Sequence, residues 1–160
     1  MTTKNIWVIL RVSMGFIFLW AFLDKAFGLG FSTPIERSWL NGSSPTTGYL
    51  TNAVSGLFAD NFRSLAGSVT VDWLFMLGLL FVGTALLLGI ATRLAGYIGA
   101  LMMFLIFLSV FPPSINPLID DHVIYILVLL GLSTVDSGSL FGVKKWWKNI
   151  DIVKKCPILQ

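Results

Sequence analysis

The chain has 160 residues, 56% of them hydrophobic and only 12% charged, and its mean hydropathy is +0.83. A water-soluble domain carries roughly 25% charged residues, so this composition excludes an ordinary soluble fold and points to lipid as the surrounding medium. The net charge of +3 does not mark a nucleic-acid binder, because five of the eleven Lys and Arg residues fall in the last 17 positions, directly after the final apolar run.

The first apolar run covers about residues 5–26 and contains RVSMGFIFLWAFLDKAFG, Arg11 to Gly28. It is apolar on every side, so it has no face to offer water. Arg11 interrupts it and no small-residue cleavage site follows, which predicts a retained membrane helix and not a signal peptide. A loop of roughly forty residues comes next, too long for a simple connector. Within it Ser44-Pro45-Thr46 looks like a helix start, and Leu50, Val54, Leu57 and Phe58 recur at helical spacing. This predicts one short amphipathic helix lying on the outer surface with its apolar face down.

Three more apolar runs follow at about 71–91, 94–111 and 119–135, near the ~20 residues that a hydrocarbon core demands. Pro112-Pro113 ends the third, and Asn116-Pro117 with Asp120 opens the fourth. Gly78, Val82, Ala85 and Gly89 share a face of the second run. Ala95 with Gly99, and Gly96 with Ala100, give small-xxx-small pairs on the third. The expected fold is all-α, an integral membrane four-helix bundle with the extra amphipathic helix between spans 1 and 2. It would occupy residues 1–147, ahead of a basic tail at 148–160.

Cations set the expected orientation. With four spans, Lys4, Arg93, Lys144, Lys145, Lys148, Lys154 and Lys155 share one side, which the positive-inside rule assigns to the cytoplasm together with both termini. Trp20, Trp39 and Trp73 then mark the outer interface.

Ionisable residues inside a membrane protein are costly, and each is a candidate functional group. Arg11 either snorkels to the inner surface or pairs with Asp136 near Arg93; Asp24 lies roughly 20 Å further along the same helix, out of its reach. Asp24, Lys25, Asp72, Asp120, Asp121 and His122 all fall at the outer surface, where a Lys–Asp–His rim could bind an anion or relay protons. Tying helix ends together is the alternative use of the same groups. One cysteine, Cys156, permits no paired-thiol centre, and one histidine, His122, excludes a bis-histidine haem or a multi-histidine metal site. No redox cofactor is therefore expected on the chain's own side chains.

The Arg, Gly-aromatic run and D-K-x-F-G ending of RVSMGFIFLWAFLDKAFG resemble the opening signature of the DoxX/DoxD membrane proteins. Gly83 to Gly89 followed by Thr92-Arg93 is similar to that family's glycine-framed second helix and its T-R turn. SPTTGYL in the loop and NPLIDDHVIY ahead of the fourth run resemble the DoxD branch. The likeness runs to about Trp147. It implies a four-helix membrane bundle serving as the membrane subunit of a thiosulfate:quinone oxidoreductase, with a second subunit as partner and quinone as substrate. Under it Asp24, Lys25, Asp121 and His122 are the catalytic candidates, and Arg11, Asp72, Arg93, Asp120 and Asp136 the substrate-binding ones. Leu79 stands about where many relatives carry a mid-membrane acid, which argues against a proton-coupled carboxylate there. The alternatives are a structural or assembly subunit of a larger membrane complex, and a small-solute carrier. A carrier is disfavoured because no inverted repeat relates the two pairs of spans.

Overall fold

The computed structural model describes residues 2–114, 116, 118–135, 147 and 149–159. Asp136, Lys144, Lys145 and Lys148 lie outside the described residues. The long helices are α1 (Thr3–Phe27), α4 (Val69–Leu88), α5 (Thr92–Ser109) and α6 (Asp121–Thr134). Between the first two lie short helices α2 (Thr47–Asn52) and α3 (Ala59–Arg63) and two single 3-10 turns, Ile35–Arg37 and Trp39–Asn41. Among the described residues all regular structure is helical.

Three helices, α1, α4 and α5, are long and apolar enough to cross a membrane. The fourth apolar run forms a helix of 14 residues, roughly 21 Å at 1.5 Å per residue. It is shorter than the expected 119–135 because Asp120 caps it. The Asp120 carboxylate accepts from the amides of His122 at 3.0 Å and Val123 at 3.3 Å, fixing the first turn there.

The helices pack as two intimate pairs, α1 with α4 and α5 with α6, joined where α4 meets α5. Each buries one stripe at helical spacing: Val8, Arg11, Met14, Gly15 and Phe18 on α1, and Met76, Leu79, Val82, Gly83 and Leu86 on α4. Ile9, Val12, Phe16 and Ile17 remain exposed on α1, as do Leu74 and Leu77 on α4. Apolar faces left outside a bundle are what lipid contact requires.

Glycine sets the spacing of each pair. A Cβ on Gly83 would lie 2.5 Å from the Leu19 amide nitrogen and 2.8 Å from its Cα, and one on Gly15 would lie 2.8 Å from the Leu87 nitrogen. In the other pair, a Cβ on Gly96 would come within 2.6 Å of the Leu129 carbonyl oxygen. These are backbone-to-backbone approaches, the arrangement that drives helix association where lipid offers no hydrophobic gain. At the far end of α1, the Trp7 ring lies over Gly131 of α6.

The bundle has two ends. At the turn end, α4 passes into α5 through Gly89 (φ 71) and Ala91 (φ 45), both left-handed. At the loop end lies the whole 28–68 segment. The single amphipathic helix expected there is instead two pieces. Between them the chain docks on the end of α5: the Ser55 amide donates to the Ser109 carbonyl at 3.0 Å, and the Leu57 amide to the Phe111 carbonyl at 2.9 Å. A continuous helix would hide those amides inside itself. Gly56 (φ 82) makes the contact possible, since a Cβ would fall 2.0 Å from the Phe111 oxygen. The expected apolar face also divides. Leu50 and Val54 turn inward with Ala59 to form a small core, whereas Leu57 and Phe58 stay exposed. Near the C-terminus, a short helix (Asp151–Lys155) and a 3-10 turn follow, and the Trp147 indole donates to the Leu159 carbonyl at 2.6 Å.

Gly83→Ala should therefore destabilise the bundle by about 1–3 kcal/mol, because the added methyl meets backbone. Gly48→Ala, at a helical position with open space, should be neutral or stabilising by about 0.5–1 kcal/mol. Thermal unfolding in mild detergent checks both; equal midpoints for the two variants would refute the close approach.

Candidate functional site

Arg11 is fully buried on α1, one turn below Gly15. Its Nη1 donates to the Leu86 carbonyl and, at 3.2 Å, to the Leu87 carbonyl of α4. Those two oxygens belong to the last turn of α4, whose final carbonyls have no intrahelical partner and form the negative end of the helix dipole. The guanidinium thus caps a neighbouring helix. This use was not among the sequence expectations, because nothing local marks which helix end an arginine will meet.

At the loop end, each of two buried carboxylates organises a stretch of loop. Asp24, 1% exposed, accepts from the amides of Phe31 at 3.1 Å and Ser32 at 3.0 Å and from the Ser32 hydroxyl at 2.5 Å. The chain can double back onto Asp24 because Gly28 ends α1 in the left-handed region (φ 67). Asp72, in the first turn of α4, accepts from the Ser44 hydroxyl at 2.8 Å and the Thr46 hydroxyl at 2.5 Å. Hydroxyls of Ser32, Ser44 and Thr46 are therefore the partners that sequence reasoning missed. The available signal was the Ser/Thr clustering in FSTP and SSPTT, just after a reversal and just ahead of a helix.

The third polar station belongs to α6. Besides capping that helix, Asp120 meets His122 Nδ1 at 2.7 Å through its second oxygen. Asp121 is exposed in the first turn of α6, and Arg93 is exposed at the start of α5. Lys25 is half-buried beside Asp24, and no hydrogen bond or ion pair joins it to any described residue. Among the described residues, no hydrogen bond or ion pair links Asp120 or His122 with Asp24, Lys25 or Asp72. Asp24, Asp72 and Asp120 thus each have their own hydrogen-bond partners. The Asp136 partner expected for Arg11 lies outside the described residues.

A groove of about 360 Å³ runs along the outer side of α1, lined by Phe16, Ile17, Trp20, Ala21, Asp24, Phe31 and Ser32. Phe16 stacks on Trp20 at 5.7 Å between ring centroids, and Phe31 meets Trp20 edge-on at 5.0 Å. Asp24 shapes this groove by holding Phe31 and Ser32, which form its end wall. The cavity is aromatic along its length and polar only at the loop end. It opens on the face of α1 that carries the exposed Phe16 and Ile17. Sequence reasoning did not locate this groove. The i, i+4 pair of Phe16 and Trp20 ahead of Asp24 was its only local signal.

No protein-family model, curated protein or solved structure matches the chain. Its chemistry is read from its own residues.

Burial disfavours the charged form of Asp120. The His122 ring, the Val123 amide, the charge of His122 and the His122 amide outweigh that and hold the carboxyl below its ordinary value of 3.8. Because the folded value lies below the unfolded one, the contribution is complete above about pH 3.8 and is lost as pH falls through the lower folded value. Asp120→Asn keeps a capping oxygen but cannot titrate in this range. The stability difference between wild type and variant should therefore shrink below that pH. Thermal midpoints measured from pH 6 down to roughly pH 2.5 test this; a gap that stays constant would contradict the Asp120–His122 arrangement.

Proposed function

We propose that the chain is a four-span integral membrane protein of the DoxX/DoxD kind, with both termini cytoplasmic, serving as the membrane subunit of a quinone-linked redox complex. The donor half is thiosulfate or a similar anion, handled together with a second subunit. The observation that carries this reading is the aromatic groove on the lipid side of α1. A quinone has a flat ring that stacks on aromatic faces, an apolar tail that stays in lipid, and carbonyl oxygens that favour the polar end of a cleft. A groove walled by Phe16, Trp20 and Phe31 and open towards lipid matches the ring and the tail; the carbonyls need a hydrogen-bond donor, which the Ser32 hydroxyl supplies by turning from Asp24. In the reaction, two thiosulfate ions join through one new S–S bond and release two electrons. With two protons, these convert quinone to quinol. Electrons pass between the bound substrates directly or through the partner. Lys25, a half-buried cation beside Asp24 whose ammonium makes no hydrogen bond among the described residues, is the group we assign to the anionic donor.

The fourth span is α6, with Asp120 capping it at the membrane surface and the exposed Leu118 and Ile119 lying ahead of that cap. Lys4 and Arg93, both at the turn end with the N-terminus of α1, support a cytoplasmic assignment of that end.

A second reading, a structural or assembly subunit, is favoured by how Arg11, Asp24 and Asp72 are used. All three are bound to the chain's own backbone or hydroxyls.

The discriminating experiment is thiosulfate-dependent quinone reduction by the chain reconstituted with its co-purifying partner. Ile17→Trp fills the groove and should weaken binding of a quinone analogue at least tenfold, about 1.4 kcal/mol, with the melting temperature unchanged. Lys25→Ala should raise KM for thiosulfate while leaving that for quinone alone. Stable co-purification without turnover, and analogue affinity indifferent to Ile17→Trp, would leave the structural reading standing.

A further inference from the structure

The polarity of the loop end is inverted. Thr33, Ser38 and Thr46 are buried, Ser38 to 1% and Thr46 to 6% exposure, and the buried Asp24 and Asp72 take hydrogen bonds from loop groups. Leu29, Phe31, Ile35, Leu40, Leu57 and Phe58 stand outside, Phe31 at 74% and Leu57 at 73%. Water selects the opposite arrangement, and large apolar side chains left exposed at one end of a bundle mark an interaction face.

What covers that face is indicated by continuity with the exposed sides of the long helices. Phe16, Trp20 and Phe31 form one aromatic series that carries the outer face of α1 past the end of the helix. On α4, the half-exposed Trp73 meets Trp39 edge-on at 4.6 Å between centroids, joining that helix to the second 3-10 turn. Leu57, bonded through its amide to Phe111, leaves the end of α5. The same segment also exposes Glu36, Arg37, Asp60 and Arg63, the polar edge that an interfacial element keeps towards water.

We propose that the loop-end cap lies within the interfacial layer of the bilayer. Phe31, Ile35, Leu40, Leu57 and Phe58 contact lipid, and Glu36, Arg37, Asp60 and Arg63 sit among the headgroups. The partner of this surface is the lipid itself. A second copy of the chain or a water-borne protein are the competing occupants. The inference does not depend on the quinone reading.

The test places a nitroxide at Phe31→Cys, Leu57→Cys, Ile17→Cys and Asn52→Cys, each in a Cys156→Ser background. The protein is held in liposomes of phosphatidylcholine and phosphatidylglycerol. Accessibility to oxygen, which concentrates in lipid, is compared with accessibility to a water-soluble nickel chelate. Positions 31 and 57 are expected to side with the lipid-facing reference at 17 and against the exposed polar reference at 52. Values at 31 and 57 that match position 52 overturn the proposal. Low accessibility to both reagents overturns it as well, because it reports contact with a second copy. Should a variant fail to fold, hydroxyl-radical footprinting of the unsubstituted protein in lipid nanodiscs decides. Phe31 and Phe58 are expected to remain unoxidised, and oxidation of both refutes lipid cover.

Discussion

The backbones of α1 and α4 touch, and the rest of the structure depends on that approach. Gly15 and Gly83 leave no room for a side chain between the two helices. In lipid, apolar side chains gain nothing by leaving their solvent for one another, so close van der Waals contact and interhelical hydrogen bonds must hold the pair. The same approach brings Arg11 within reach of the last carbonyls of α4 at one end. At the other end the two helices present Asp24 and Asp72 to the segment that connects them. Separating α1 from α4 would take Arg11 away from those carbonyls.

The carboxylates of Asp24 and Asp72 and the Nη1 of Arg11 meet the requirement that a buried polar atom be hydrogen-bonded. Asp24 and Asp72 find their partners among the chain's own amides and hydroxyls, and the Nη1 of Arg11 donates to backbone carbonyls. A carboxylate that takes bonds from two amides and a hydroxyl, as Asp24 does, is held in one geometry and is poorly placed to exchange protons. Its consequence is architectural: it fixes where Phe31 stands, and Phe31 shapes the groove beside Trp20. That differs from a rim in which Asp24, Asp72 and His122 share one site. In the structure, His122 has its own carboxylate, Asp120, on its own helix.

The sequence carries the long helices plainly, because an all-round apolar run, a Pro-Pro stop and an Asp cap each act within a few residues. The α5 helix ends at Ser109, ahead of Pro112-Pro113, and Asp120 caps α6 as its position foretold. The small-residue faces were legible for the same reason, since i, i+4 spacing fixes a helix face. Less legible was anything decided across the bundle. Arg11 donates to the end of a helix some seventy-five positions away. The loop helix divides because Ser109 and Phe111 offer carbonyls that Ser55 and Leu57 satisfy, a competition absent from the local pattern of Leu50, Val54, Leu57 and Phe58. The outer rim was inferred from shared membrane depth, which does not specify the hydrogen-bond partner of each group.

Unequal helix lengths give the loop end its structural role. The 25-residue α1 is roughly 37 Å long and the 14-residue α6 roughly 21 Å, against a hydrocarbon core of about 30 Å. A bundle with one short member leaves apolar height uncovered on that side, at the end where α6 begins. The connecting segment docks there, on the terminal carbonyls of α5, and carries Leu57 and Phe58 outward from that contact. Leu118 and Ile119, just ahead of α6, add exposed apolar surface to the same end. A cap resting in the interface would complete the apolar wall that α6 is too short to build. It would also set the polar end of the α1 groove at the level where an amphiphile carries its head group. The hydroxyls folded beneath the cap then follow from the same cause, because in that layer the loop must supply from within the partners that Asp24 and Asp72 cannot take from water.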